Sequence, residues 1–189
     1  FQGNHRMTAA PLDPGNNTAF PVRTKAQKTI PSRAYPLRIL GMRLASLPLM
    51  AVMHEQGSSW IPWSWLILSC LVWPHVAYWM ASRSDDPFRA ELRNLVIDSA
   101  IAGSWVPLLH FNLLPSAVLL SVVMADKINT GIKRLWAWSI PATLIALLIS
   151  AWLCGFAFQP VTSMLVIAAC LPLLVIHTIA VSATSYRLV

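Results

Sequence analysis

The chain has 189 residues, 56% of them hydrophobic and only 11% charged, with nine Trp and a formal charge of +7. A soluble domain carries about 25% charged residues, so a water-soluble globule is excluded. The apolar residues fall in blocks of roughly 17 to 25, the length that crosses about 30 Å of hydrocarbon as helix. The two-residue alternation of an outer-membrane barrel is absent. The expected fold class is all-α: a polytopic membrane protein with six transmembrane helices and both termini in the cytoplasm.

In chain order, residues 1–6 read as a tag remnant ahead of Met7. Residues 7–32, rich in Pro, Asn and charge and without periodicity, read as a disordered cytoplasmic segment. Residues 33–189 form the membrane domain. Its first span, about 35–53, carries Arg38 and Arg43 in its first turns. The second, about 60–81, opens on Trp60, Trp63 and Trp65, an interfacial aromatic anchor. A charged loop leads to a third span at about 92–110, and a tight turn from Asn112 to Pro115 enters a short fourth at about 113–128. The fifth and sixth spans cover about 135–156 and 161–186.

The basic residues fix the direction of these spans. With six crossings, every Lys and Arg from Arg23 to Arg187 falls on one side, and Lys/Arg-rich loops face the cytoplasm. Both termini are therefore expected on the cytoplasmic side of the membrane. Cys70, Cys154 and Cys170 all sit in apolar blocks without CxxC spacing, so free thiols are expected rather than a disulfide or a metal site.

The strongly polar groups inside apolar segments concentrate between Trp73 and Asp98. His75 on the descending second span, Asp98 on the ascending third and His177 on the descending sixth lie at a similar depth, given about 1.5 Å of rise per residue. Asn94 is one turn from Asp98 on the same face, and Pro74 frees a backbone carbonyl and predicts a kink. These residues outline a candidate signal or ligand pocket of His75, Asn94, Asp98 and His177, since ionisable groups within a membrane are functional candidates. The competing reading is that Asp98 pairs with Arg38, Arg43 or His75 only to satisfy buried charge. Two histidines at one depth also permit bis-imidazole haem ligation, although no cofactor is expected in this domain. In the loop, Asp85 or Asp86 before Pro87 resembles a helix start. The pairs Ser99/Gly103 and Ala100/Ser104 have small-xxx-small spacing, suited either to packing within one bundle or to dimerisation.

There is no Walker loop, HExxH, GxSxG or paired loop carboxylates, so no catalytic residues are assigned. The sixth span runs on through VSATSYRLV towards the cytoplasm, as if leading into a further domain. The hairpin VWPHVAYWMASRSDDPFRAELRNLVIDSAIAGSWV, with NLLPS after it, resembles the membrane-associated sensor domain of the second MASE class. The matching positions are Trp73-Pro74-His75, Ala81-Ser82-Arg83, Pro87, Glu91, Asn94-Leu95, Asp98, Gly103, Trp105 and Asn112 with Leu114-Pro115-Ser116. His177, Arg38 and Arg43 are outside that motif. The resemblance implies a regulatory, non-enzymatic six-helix module preceding a bacterial nucleotide cyclase, either diguanylate (GGDEF) or class III adenylate. The implied partners are a second copy of the chain, membrane lipid and the chain's own C-terminal cyclase domain, with no nucleic acid. On this reading the module responds to a lipid-like or membrane-dissolved signal. The alternatives are a passive dimeric anchor and a small transporter or haem-binding protein, and the lack of internal repeats counts against a transporter.

Overall fold

The computed structural model describes residues 25–129 and 135–186, and every regular element among them is a helix. Helix α1 spans Lys25–Glu55, α2 Trp60–Arg83, α3 Pro87–Leu108, α4 Leu113–Asn129, α5 Leu135–Cys154 and α6 Met164–Tyr186. Each apolar block thus becomes one helix, the form in which a single segment satisfies its own backbone polar groups in hydrocarbon. Four stretches are long and apolar enough to cross a membrane: Ala34–Glu55 in α1, the whole of α2, Ala137–Cys154 in α5 and Met164–Ala183 in α6. The other two expected spans are helical but do not meet that description. Helix α3 carries Arg89, Glu91, Arg93 and Asp98, and α4 has 17 residues and ends with Asp126 and Lys127 in its last turn.

The N-terminal expectation needs a correction. Residues 25–32 belong to α1, where disorder was predicted; residues 1–24 lie outside the described residues. The run Lys25-Ala26-Gln27-Lys28 is made of good helix formers, and lengthening an existing helix needs no new nucleus.

The kink predicted at Pro74 takes the form of a π-helical turn. Over Ile67–Val72 the ladder widens, and the Trp73 N–H donates to the Leu68 carbonyl five residues back. Pro74 has no N–H, and its ring crowds the carbonyl four residues earlier. One wide turn absorbs that conflict without ending the helix.

Helix α1 runs through the centre and packs against α2, α3, α4 and α6. The shared core joins Leu49, Val52 and Met53 of α1 to Trp105 of α3 and Leu109 just after it, and to Val118 and Leu173 of α4 and α6. At the α2–α3 crossing two indoles are held by serine hydroxyls: Trp65 Nε1 donates to Ser104 Oγ at 3.1 Å and Trp105 Nε1 to Ser69 Oγ at 3.2 Å.

Helix α5 packs on α3 at very close range. A Cβ placed on Gly103 would lie 2.2 Å from the Thr143 carbonyl oxygen. Beside that contact Thr143 Oγ1 donates to the Ser99 carbonyl at 3.2 Å, and Ser150 Oγ to the Ser104 carbonyl at 2.7 Å. Ser99, Gly103 and Ser104 therefore serve packing within one chain, which settles for them the choice left open by their spacing.

At the far end of the bundle the turn after α3 is stitched to the loop before α6. Asn112 Nδ2 donates to the Val161 carbonyl at 2.9 Å, and its Oδ1 accepts from Thr162 Oγ1 at 2.5 Å. His110 and Phe111 adopt positive φ angles of 51° and 57° to make this turn, and Pro115 is buried beneath it.

Candidate functional site

The start of α3 sets the geometry of the polar interior. Asp86 caps the helix by accepting from the Arg89 N–H at 3.1 Å, and Pro87 occupies the first turn, where its missing N–H is no loss. From that start Glu91, Asn94 and Asp98 recur at i, i+3 and i+7, so all three project from one face. They are 5%, 1% and 7% exposed, and Arg38 of α1, at 8%, inserts among them.

Arg38 Nε donates to Asp98 Oδ2 at 3.0 Å, and Arg38 Nη2 donates to Glu91 Oε1 at 2.5 Å. Trp73 of α2 supplies a further donor, its Nε1 lying 2.6 Å from Asp98 Oδ1. Asn94 Nδ2 donates to the Ala77 carbonyl at 2.9 Å, securing α2 to α3. One guanidinium thus bridges two carboxylates while indole and amide groups take up the remaining polar atoms, the arrangement a buried charge requires.

The cluster continues towards α4 and α6. The ammonium of Lys127, a 1% exposed residue, donates to the Val123 carbonyl at 2.9 Å, and it lies within electrostatic reach of Asp98 and Asp126. Asp126 Oδ1 is 3.2 Å from His177 Nε2. The His177 ring is buried against α1, where a Cβ on Gly41 would touch its Cδ2 at 3.4 Å. Charged or hydrogen-bonding side chains therefore link α1, α2 and α3, and a second set links α4 to α6 beside α1.

The sequence-predicted pocket is only partly assembled. Asn94 and Asp98 come together, joined by Glu91. His75 does not join them: it is exposed, and its Nδ1 is 2.7 Å from the Tyr35 hydroxyl, with Tyr35 stacked on Tyr78 at 4.5 Å between centroids. His177 is buried as expected but engages Asp126 rather than Asp98. Equal depth along parallel helices says nothing about azimuth, and azimuth separates these residues. His75 and His177 each have a protein partner at one ring nitrogen, and no group of three or more His, Cys, Asp and Glu suited to a metal occurs among the described residues.

Asp98 pairs with Arg38, as the competing reading of the sequence expects. Lys127 and Asp126 are not among the site residues expected from sequence, although each is a charge at the end of an apolar block. Arg83, singled out by the resemblance, sits over the Trp79 ring at 4.7 Å, a surface contact at the C-terminal end of α2.

Residues 33–121 match the family model of the MASE2 domain. This stretch of the chain is similar to the MASE2 domain. That stretch contains Arg38, Trp73, Glu91, Asn94 and Asp98, so the whole carboxylate–guanidinium cluster belongs to it. The chain is also 32% identical, over 127 residues and 66% of its length, to the probable diguanylate cyclase DgcC of Escherichia coli K12, and equally to its counterpart in Escherichia coli O6:H1. The alignment covers 34% of those proteins, so this chain spans about a third of the length of the curated relatives it matches. No solved structure matches it.

Proposed function

We propose that this MASE2-like domain is the sensory and regulatory membrane module of a nucleotide cyclase joined to its C-terminal side. A diguanylate cyclase is favoured over an adenylate cyclase because the relatives bear that name. In this reading the module is a homodimer in a bacterial inner membrane, with six crossings and both termini in the cytoplasm. It performs no catalysis itself and takes a lipid-like or membrane-dissolved signal.

Support for six crossings comes from the pairing of α3. Glu91 and Asp98 would bar the helix from hydrocarbon if they faced lipid, yet both are paired with Arg38 inside the bundle. Helix α4, at about 1.5 Å per residue, is long enough for a thin crossing, with Lys127 and Asp126 at its cytoplasmic end.

The observation that carries the regulatory reading is how α6 is held. Helix α6 leads towards the C-terminus and packs against α1 and α4, where its buried polar contact is His177 with Asp126. Helix α1 is anchored to α2 and α3 by Arg38 and touches α6 at Gly41. A repacking of α1 therefore shifts α6, and with it the spacing of two attached cyclase domains, a transition that needs only small helix movements.

The deciding experiment uses the parent cyclase in native membranes. Product formation is measured with the wild-type module, with Asp126→Asn, and with the bundle replaced by unrelated dimeric spans. Altered basal activity in Asp126→Asn at equal membrane insertion supports the sensor. Unchanged regulation after bundle replacement makes the module a passive dimeric anchor.

A further inference from the structure

Among the described residues the guanidinium of Arg43 has no hydrogen-bond or ion-pair partner, and the side chain is exposed. It lies in α1, nine residues after Ala34, where the apolar part of that helix begins. At 1.5 Å per residue that is about 13 Å into the span. The groove around it is shallow and open, about 440 Å³, and is formed along one face of α1 by Tyr35, Pro36, Ile39, Leu40, Leu44 and Leu47. Arg43 is thus an exposed cation without a protein partner on an apolar face of a membrane helix.

We propose that this groove binds an anionic phospholipid, its phosphate on Arg43 and one acyl chain along Leu40, Leu44 and Leu47. The inference rests on the six-crossing, cytoplasmic-terminus reading above. Helical side chains lean towards the N-terminus of their helix, so the Arg43 stem runs down the groove towards the cytoplasmic interface, where inner-leaflet headgroups lie, as snorkelling arginines do. A guanidinium matches phosphate oxygens in a two-pronged geometry, and the apolar walls suit an alkyl chain. A second copy of the chain is the poorer occupant: a two-fold axis along this stripe would bring the two Arg43 side chains together at one depth.

The site is also placed to act. Groove residues share α1 with Arg38, which grips α2 and α3, and with Gly41, on which His177 of α6 rests. Occupancy of one face of α1 bears on the contacts of the opposite faces.

The test is native mass spectrometry of the chain released from nanodiscs of phosphatidylglycerol or of phosphatidylcholine. Wild type is expected to keep one phosphatidylglycerol per protomer about tenfold better than phosphatidylcholine. Arg43→Gln should lose that preference, Arg43→Lys keep part of it, and Leu47→Trp lower retention by filling the groove. Equal retention of phosphatidylglycerol by wild type and Arg43→Gln overturns the proposal, as does equal retention of the two lipids by wild type. A dimer that dissociates in Arg43→Gln assigns the face to a second copy and likewise overturns it. Failure of the broader reading is separately visible. If Arg43-dependent retention is found but phosphatidylglycerol leaves the activity of the parent cyclase unchanged, the lipid site stands and the sensor role falls.

Discussion

Arg38 and Asp98, sixty residues apart in the chain, meet in the interior with Nε 3.0 Å from Oδ2, both side chains less than a tenth exposed. The pair fixes how α1 lies on α3. Removing one member of a buried pair leaves the other uncompensated, a loss of about 3–5 kcal/mol. Asp98→Ala is expected to destabilise the fold by that amount in thermal or SDS unfolding of the detergent-solubilised protein. Asp98→Asn should be milder, because its amide oxygen still accepts from Trp73 while only the Arg38 bond is lost.

Two tryptophans of α2 separate a structural hydrogen bond from a surface contact. Trp73 donates to Asp98 at 2.6 Å, and a hydrogen bond to a charged group contributes about 1.5–3 kcal/mol. Trp73→Phe keeps the apolar ring and loses that donor, so a drop of this size is expected. Trp79 only stacks beneath Arg83 at the surface, where such contacts are worth about 0.5–1 kcal/mol. Trp79→Phe should be close to neutral in the same assay.

Gly103→Ala is expected to disturb the α3–α5 pair. The new methyl would sit 2.2 Å from the Thr143 carbonyl oxygen, and because that neighbour is backbone, no rotamer change relieves the clash. Overpacking of this kind costs about 1–3 kcal/mol, and Thr143→Ala should not rescue it. Gly57 offers the contrast. It has φ +58° with nothing near its would-be Cβ, so Gly57→Ala meets only backbone strain of about 1–2 kcal/mol. Gly57→Asn should be tolerated better than Ala. Circular dichroism melts of the four variants would rank them.

The helices were legible because their cause is local: runs of apolar residues between Pro, Gly and charged breaks. The Asp86–Pro87 helix start was legible for the same reason, since a cap acts within three residues. The polar site was half legible. Asn94 and Asp98 share a face by helical arithmetic, so their union needed no tertiary knowledge. Arg38 and His75 are decided by how α1 rotates against α2 and α3, which rests on packing around Trp105 and Leu49 rather than on any local pattern. The close approach at Gly103 was written as small-residue spacing, but the identity of the helix that uses it is tertiary information.

The three cysteines give a readout of both packing and direction. Cys154 is exposed at the end of α5, whereas Cys70 and Cys170 are 2% and 1% exposed. A maleimide should therefore modify one thiol per native chain and all three after denaturation, counted by mass. In the six-crossing arrangement α5 rises from the cytoplasm, so Cys154 reaches the outer interface, where water lets the thiol ionise and react. A membrane-impermeant maleimide added to intact spheroplasts is expected to label wild type and not Cys154→Ser. Labelling that appears only after the membrane is opened would mean that α5 runs the other way, and the cytoplasmic placement of the C-terminal end would have to be abandoned with it.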